Sequence, residues 1–122
     1  SDPLFQLMVS RFVSMKRIIF KVKPNINYKL LDLHLVENKI PSLDNFEYNQ
    51  LRKLVRNMVA INLFLKHKKM VSLNLVNLEV KKIFGDLDKL NFTSKKEFSR
   101  EYNLLYKITF NSIMEGIKNG SK

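Results

Sequence analysis

Few residues of this chain have the types and spacing that catalysis or metal binding needs. The sequence has no cysteine, and its two histidines, His34 and His67, lie far apart in the chain. Disulfides and thiol catalysis are therefore excluded, and a zinc site is not expected. Asp86 and Asp88 are two residues apart, so on a helix their carboxylates point to different faces. Since the chain also lacks a glycine-rich loop, we predict a protein that is not an enzyme and that uses no metal or other cofactor.

The charge of the chain indicates an acidic partner. There are 22 Lys and Arg residues against 11 Asp and Glu residues, a net charge of +11 and a pI near 10.0. Such a balance is typical of proteins that bind nucleic acid or acidic protein segments. The basic residues are interleaved with acidic ones along the whole chain, however, and there is no basic tail. Nucleic-acid binding is therefore the alternative function, and its predicted phosphate contacts are Lys66, Lys68, Lys69, Lys81 and Lys82.

Hydrophobic spacing predicts an all-α fold, a compact bundle of four to five helices with an additional N-terminal segment. With 3 glycines and 3 prolines, the chain is too poor in turn residues for a β-sandwich or barrel. Apolar residues recur at helical spacing in four segments: 28–38, 45–65, 70–90 and 95–118. Leu104 and Ile108 are predicted to widen the apolar face of the last segment. Helices of this kind bury their apolar stripes by packing against one another.

Local signals predict where some of these helices begin and end. Asp44 with Glu47, and Ser94 with Glu97, have the three-residue spacing of a capping box and predict the starts of the second and fourth segments. Gly85 interrupts the third segment, because glycine costs about 1 kcal/mol relative to alanine inside a helix. Residues 70–90 are therefore one helix or two short ones.

Residues 1–27 are predicted to be an N-terminal extension of a bundle formed by residues 28–122. Their apolar positions have a roughly helical spacing, but the alternation at Ile18, Phe20 and Val22 leaves the last part either helical or extended. The extension packs on the bundle or mediates assembly, in particular as a homodimer contact. No membrane partner is expected, since no apolar run reaches the roughly 18 residues that span a bilayer. Because the chain begins with Ser-Asp-Pro and not with Met, we expect it to be a piece of a longer protein.

One stretch of the chain suggests a family. Residues 43–65 read LDNFEYNQLRKLVRNMVAINLFL. They resemble the first loop and second helix of the integrase-binding domain of the lens-epithelium-derived growth factor family, which is related to the N-terminal bundle of transcription elongation factor S-II. Residues 30–36 are similar to the first helix of that domain, and 87–92 with 104–110 are similar to its fourth and fifth helices. The likeness covers residues 28–118 and leaves 1–27 without a counterpart.

The resemblance implies a nuclear interaction module of transcription or chromatin proteins. Members of that family bind short disordered segments of nuclear proteins, which carry acidic residues and a bulky aromatic, at two inter-helix loops on one end of the bundle. Leu43 and Asp44 match positions in the first loop, where the family's aspartate accepts hydrogen bonds from the ligand backbone. Capping a helix and contacting a ligand are compatible for Asp44, because a carboxylate has several acceptor sites.

The second loop of the implied site includes residues 89–95. Phe92 matches the phenylalanine that packs against the aromatic side chain of the ligand, and a shift of one register would put Leu90 there. Lys89 and Lys95 would flank the site as basic residues do in the family. If this loop is instead part of the bundle's interior, Phe92 is an ordinary core residue, because a large apolar side chain needs a reason to be exposed.

Overall fold

The computed structural model of this protein describes residues 2–20, 43, 46–86 and 95–120. Within these ranges the predicted all-α bundle is confirmed, and no strand is present. The four helices are α1 (Pro3–Phe20), α2 (Tyr48–His67), α3 (Leu73–Phe84) and α4 (Lys95–Gly120). The predicted helix at 28–38 and the predicted boundary between residues 27 and 28 lie outside the described residues.

The central helix is α2, against which α1, α3 and α4 all pack. Its predicted apolar face is confirmed, because every position at the three- and four-residue spacing is buried: Leu51, Leu54, Val55, Met58, Ile61 and Leu65. Burying such a stripe is the main source of stability for a helix in water. The position of α2 therefore organises the rest of the bundle.

α4 packs along α2 through its own apolar face. The buried residues of this face include five that the spacing predicted: Phe98, Tyr102, Leu105, Thr109 and Ile113. The side-chain nitrogen of Asn62 on α2 donates a hydrogen bond of 3.3 Å to the hydroxyl of Thr109. The prediction for Leu104 and Ile108 is wrong, because both side chains are more than half exposed. They lie on a side of α4 that no other described helix covers.

α1 is a helix throughout residues 3–20, so the extended alternative does not apply to that part of the chain. It runs antiparallel to α4, since Phe5 near its start approaches Gly116 and Phe20 at its end contacts Tyr106. Its buried side belongs to the same hydrophobic core as α2 and α4: Met8, Val9, Phe12, Val13, Met15 and Ile19. α1 therefore packs against α2 and α4 through this core.

α2 begins one turn later than predicted. The N-cap of α2 is Glu47, whose side chain accepts from the backbone amide of Gln50 while the Gln50 side chain accepts from the Glu47 amide at 3.0 Å. The prediction of Asp44 as the cap is wrong, because Glu47 and Gln50 have the same three-residue spacing and satisfy each other's backbone amides at the start of the helix. The predicted partner of Ser94 in the other capping box, Glu97, lies in the first turn of α4, but Ser94 is outside the described residues.

α3 is bounded by Ser72 and Gly85. The Ser72 hydroxyl accepts from the Leu75 amide at 3.2 Å, and the Gly85 amide donates to the Lys81 carbonyl at 2.9 Å. Gly85 has a φ of 75°, a backbone conformation that side chains with a Cβ rarely adopt. The helix therefore ends at Phe84, so residues 70–90 are not one continuous helix. The predicted second short helix falls largely on residues outside the described ranges.

The contact between Phe5 and Gly116 gives a prediction for the α1–α4 packing. A Cβ at position 116 would lie 2.7 Å from the Phe5 ring. In the wild-type chain this clash opposes the gain of about 1 kcal/mol that alanine normally brings to a helix interior. We therefore expect Gly116→Ala to be neutral or destabilising alone and stabilising in a Phe5→Ala background, as measured by urea unfolding of the four proteins. Equal effects in both backgrounds would show that the two residues do not interact.

Candidate binding groove

A groove of about 310 Å³ lies between the first half of α2 and the middle and end of α3. The link of residues 68–72 between the two helices is short, so they pack antiparallel and the start of α2 lies beside the end of α3. The residues that line the groove are Arg52 and Arg56 from α2, Asn77, Val80 and Lys81 from α3, and Gly85 and Asp86 just beyond it. We refer to this site as the basic groove.

Three cations and one anion line the basic groove, which gives it a net charge of 3 − 1 = +2. Arg52 and Arg56 are four residues apart, so their side chains project from the same face of α2, about 6 Å apart along its axis. Arg56 and Lys81 are exposed, whereas Arg52 is half-buried with its guanidinium 5.7 Å from the centre of the Tyr48 ring. A cation over the face of an aromatic ring is attracted by the ring electrons, so the Tyr48 ring helps to position Arg52. The groove is thus suited to carboxylate or phosphate groups.

Exposed apolar side chains occupy the outer side of α3, and one of them, Leu78, is one helical turn from Lys81 of the basic groove. Leu75 is 42% exposed and Leu78 is 65% exposed, and with the exposed Lys82 they occupy positions i, i+3 and i+7 of the helix. This spacing places the three side chains on one side of α3. We refer to them as the α3 face. Exposed apolar groups clustered beside polar ones are typical of surfaces that bind a partner.

Most of the loop residues predicted for partner binding cannot be compared with the structure. Asp44, Lys89, Leu90 and Phe92 lie outside the described residues, and Lys95 is described only as the first residue of α4. Leu43 is described, and its side chain is 1% exposed and belongs to the hydrophobic core. The Leu43 side chain therefore has no exposed surface in this structure with which to make the predicted contact with a partner.

The helix ends that lead into the two predicted loops do lie together. The first loop precedes α2 and the second follows α3, and residues from both of these ends line the basic groove: Arg52 near the start of α2, and Gly85 with Asp86 after α3. The groove is thus at the end of the α2–α3 pair from which both loops depart.

The five lysines predicted for nucleic-acid binding form two groups rather than one surface. Lys66, Lys68 and Lys69 are exposed at the end of α2, and Lys81 and Lys82 are exposed at the end of α3. Because the helices are antiparallel, these two ends are separated by most of the length of α3, about 18 Å for its twelve residues. Arg52 and Arg56, which the fold brings to Lys81, were not among the predicted site residues. Their four-residue spacing on a predicted helix already places them on one face.

In residues 2–20, 43, 46–86 and 95–120 no group of three or more His, Cys, Asp or Glu side chains is arranged to hold a metal ion. None of the four described helices combines the length and the hydropathy that crossing a bilayer requires. Comparisons with known proteins found no significant match to a protein-family model, a curated protein or a solved structure. The likeness to the integrase-binding domain therefore stays a prediction.

Proposed function

We propose that this protein is a non-enzymatic binding module for acidic, disordered protein segments that also carry apolar or aromatic side chains. The observation that carries the proposal is the basic groove with the α3 face beside it. Carboxylates of the ligand bind Arg56 and Lys81 in the groove, where charge-assisted hydrogen bonds are stronger than neutral ones. An apolar side chain of the same segment covers Leu75 or Leu78, and its removal from water provides affinity that charge alone does not.

The mixture of apolar and basic groups favours a protein ligand over nucleic acid. A phosphate backbone offers nothing to cover the exposed leucines of the α3 face, and nucleic-acid surfaces depend on several phosphate contacts along one track. The predicted lysines of the alternative function lie at opposite ends of the α2–α3 pair. Nucleic-acid binding therefore stays the alternative function, and the experiment below distinguishes it from peptide binding.

The family resemblance and the basic groove both favour the same region of the molecule as the binding site. The ends of α2 and α3 that line the groove lead into the loops in which the resemblance predicts Asp44 and Phe92. We therefore propose that the groove takes the acidic residues of a ligand whose aromatic side chain is bound by those loops. The nuclear location and the transcription or chromatin partners of that family belong to this proposal as well.

Charge reversal in the groove tests the proposal. The ligand is a labelled disordered peptide that alternates Glu or Asp with Phe and Leu, and binding is followed by fluorescence anisotropy. We expect Arg56→Glu with Lys81→Glu to weaken binding at least tenfold, because a single lost hydrogen bond to a charged group is worth about 1.5–3 kcal/mol. The control is Lys66→Glu with Lys107→Glu, which changes the net charge equally at exposed positions outside the groove. We expect it to retain most of the affinity.

Three results would contradict this assignment. Equal losses in the groove variant and its control would show that only net charge matters. Loss of binding in Asp44→Asn, with full binding by the groove variant, would move the site to the predicted loops alone. If a DNA or RNA oligonucleotide binds more tightly than the peptide and its affinity falls steeply with salt, the alternative function replaces the proposed one.

A further inference from the structure

α4 carries an exposed stripe of acidic and apolar residues that the proposed function does not use. Its members are Glu97, Glu101, Leu104, Ile108 and Glu115, and all five are exposed. At 100° per residue they lie within a sector of about 60° around the helix, and the neighbouring Lys and Arg residues of α4 lie outside that sector. Leu104 and Ile108 are 51% and 57% exposed. We refer to this set as the α4 stripe.

The α4 stripe is complementary to the α3 face in spacing and in charge. Leu75 to Lys82 spans seven residues on α3, and Glu101 to Ile108 spans seven residues on α4, about 10.5 Å in both helices. If the helices run antiparallel, Leu75 meets Ile108, and Leu78 meets Leu104. The third pair is then Lys82 with Glu101, which have opposite charges. A parallel arrangement would instead place a charged residue against an apolar one at both ends.

We propose that this protein associates with itself by docking the α4 stripe of one copy antiparallel on the α3 face of another copy. The inference rests on the proposed function, since it uses part of the surface to which acidic, apolar segments bind. The α4 helix of a second copy has that same chemistry. It differs from a disordered ligand in being folded already, so it loses less conformational freedom on binding.

The contact is heterologous, because each copy contributes a different surface. A copy that donates its stripe still has an open face, so the assembly grows as a chain unless its geometry closes a ring. A single helix–helix contact is at the small end of specific interfaces, and the net charge of +11 on each copy opposes association. We therefore expect reversible association that depends on protein concentration. An acidic ligand on the α3 face competes with it.

Two matched variants test the contact by sedimentation velocity, with circular dichroism as the check on folding. The stripe variant is Glu101→Lys with Ile108→Ser, and the face variant is Leu78→Ser with Lys82→Glu; all four positions are exposed. We expect the wild type to grow in mass between about 10 µM and about 1 mM, a range suited to weak association. Each variant alone should stay monomeric. An equimolar mixture should form dimers and nothing larger, because only one intact stripe and one intact face can meet.

Several outcomes would overturn the proposal. A wild type that stays monomeric over the whole range refutes self-association, and self-association that survives in either variant refutes this contact. An equimolar mixture of the two variants that stays monomeric also refutes this contact. The stripe variant distinguishes a failure of the self-association proposal from a failure of the proposed function, because its basic groove and α3 face are unchanged. It should bind the acidic peptide if the proposed function holds, whether or not the wild type associates.

Discussion

Replacing Phe12 with alanine is expected to lower the free energy of unfolding by about 3–5 kcal/mol, the usual cost of truncating a buried phenylalanine. Phe12 is fully buried in the middle of α1. Its ring stacks on Tyr106 with centroids 5.5 Å apart and meets Phe110 at 6.3 Å. Such ring pairs stabilise the fold beyond the burial of their surface. Alanine at position 12 would leave a cavity and remove these contacts between α1 and α4. Native domains have only about 5–15 kcal/mol of stability, so this loss is large.

A control on the same helix isolates the effect of burial. Leu7→Ala changes an α1 side chain that is 42% exposed, and we expect it to cost no more than about 1 kcal/mol. Both variants are measured by urea unfolding followed by circular dichroism. If Phe12→Ala costs no more than Leu7→Ala, α1 does not share the core of the bundle. The N-terminal segment would then be an extension that lies outside this core.

Alkaline pH is expected to destabilise the protein through two buried tyrosines. Tyr102 and Tyr106 lie on the buried side of α4, and their hydroxyls have no hydrogen-bond partner among the described residues. Burial raises the pKa of both hydroxyls far above 10, and the neighbouring Tyr106 raises the pKa of Tyr102 further. Above pH 10 the unfolded chain therefore loses these protons first. Stability then falls with rising pH by up to about 1.4 kcal/mol per pH unit for each tyrosine, or about 3 kcal/mol for the pair.

The double variant Tyr102→Phe with Tyr106→Phe separates this effect from the titration of lysines. It keeps every other titratable group, so the difference between its urea-unfolding stability and that of the wild type reports the two hydroxyls alone. We expect the difference to grow in favour of the variant between pH 9 and pH 12. At neutral pH the variant should be at least as stable as the wild type, because an unpartnered buried hydroxyl costs about 1–3 kcal/mol. Parallel stability curves for the two proteins would rule out the raised pKa values.

Predictions from hydrophobic spacing succeeded where one side of a helix had to be buried. The apolar faces of α2 and α4 are buried as predicted, since residues three and four apart lie on the same side of a helix. The same rule failed for Leu104 and Ile108, because spacing alone does not say how wide a face the neighbouring helices cover. The local signal for the start of α2 also failed, because the capping box is formed by Glu47 with Gln50 and not by the predicted Asp44 with Glu47.

The amino-acid sequence by itself determined the class of this protein, an all-α bundle with a strongly positive charge and no cysteine chemistry. These properties follow from composition and from local spacing, which act along the chain and need no long-range contact. Only the tertiary structure decided where the candidate site lies. Arg56 and Lys81 are distant in the sequence and meet because the short link after α2 forces α3 to run back beside it. The exposure of the α3 face and the α4 stripe has the same origin, because each apolar residue is buried only where another helix covers it.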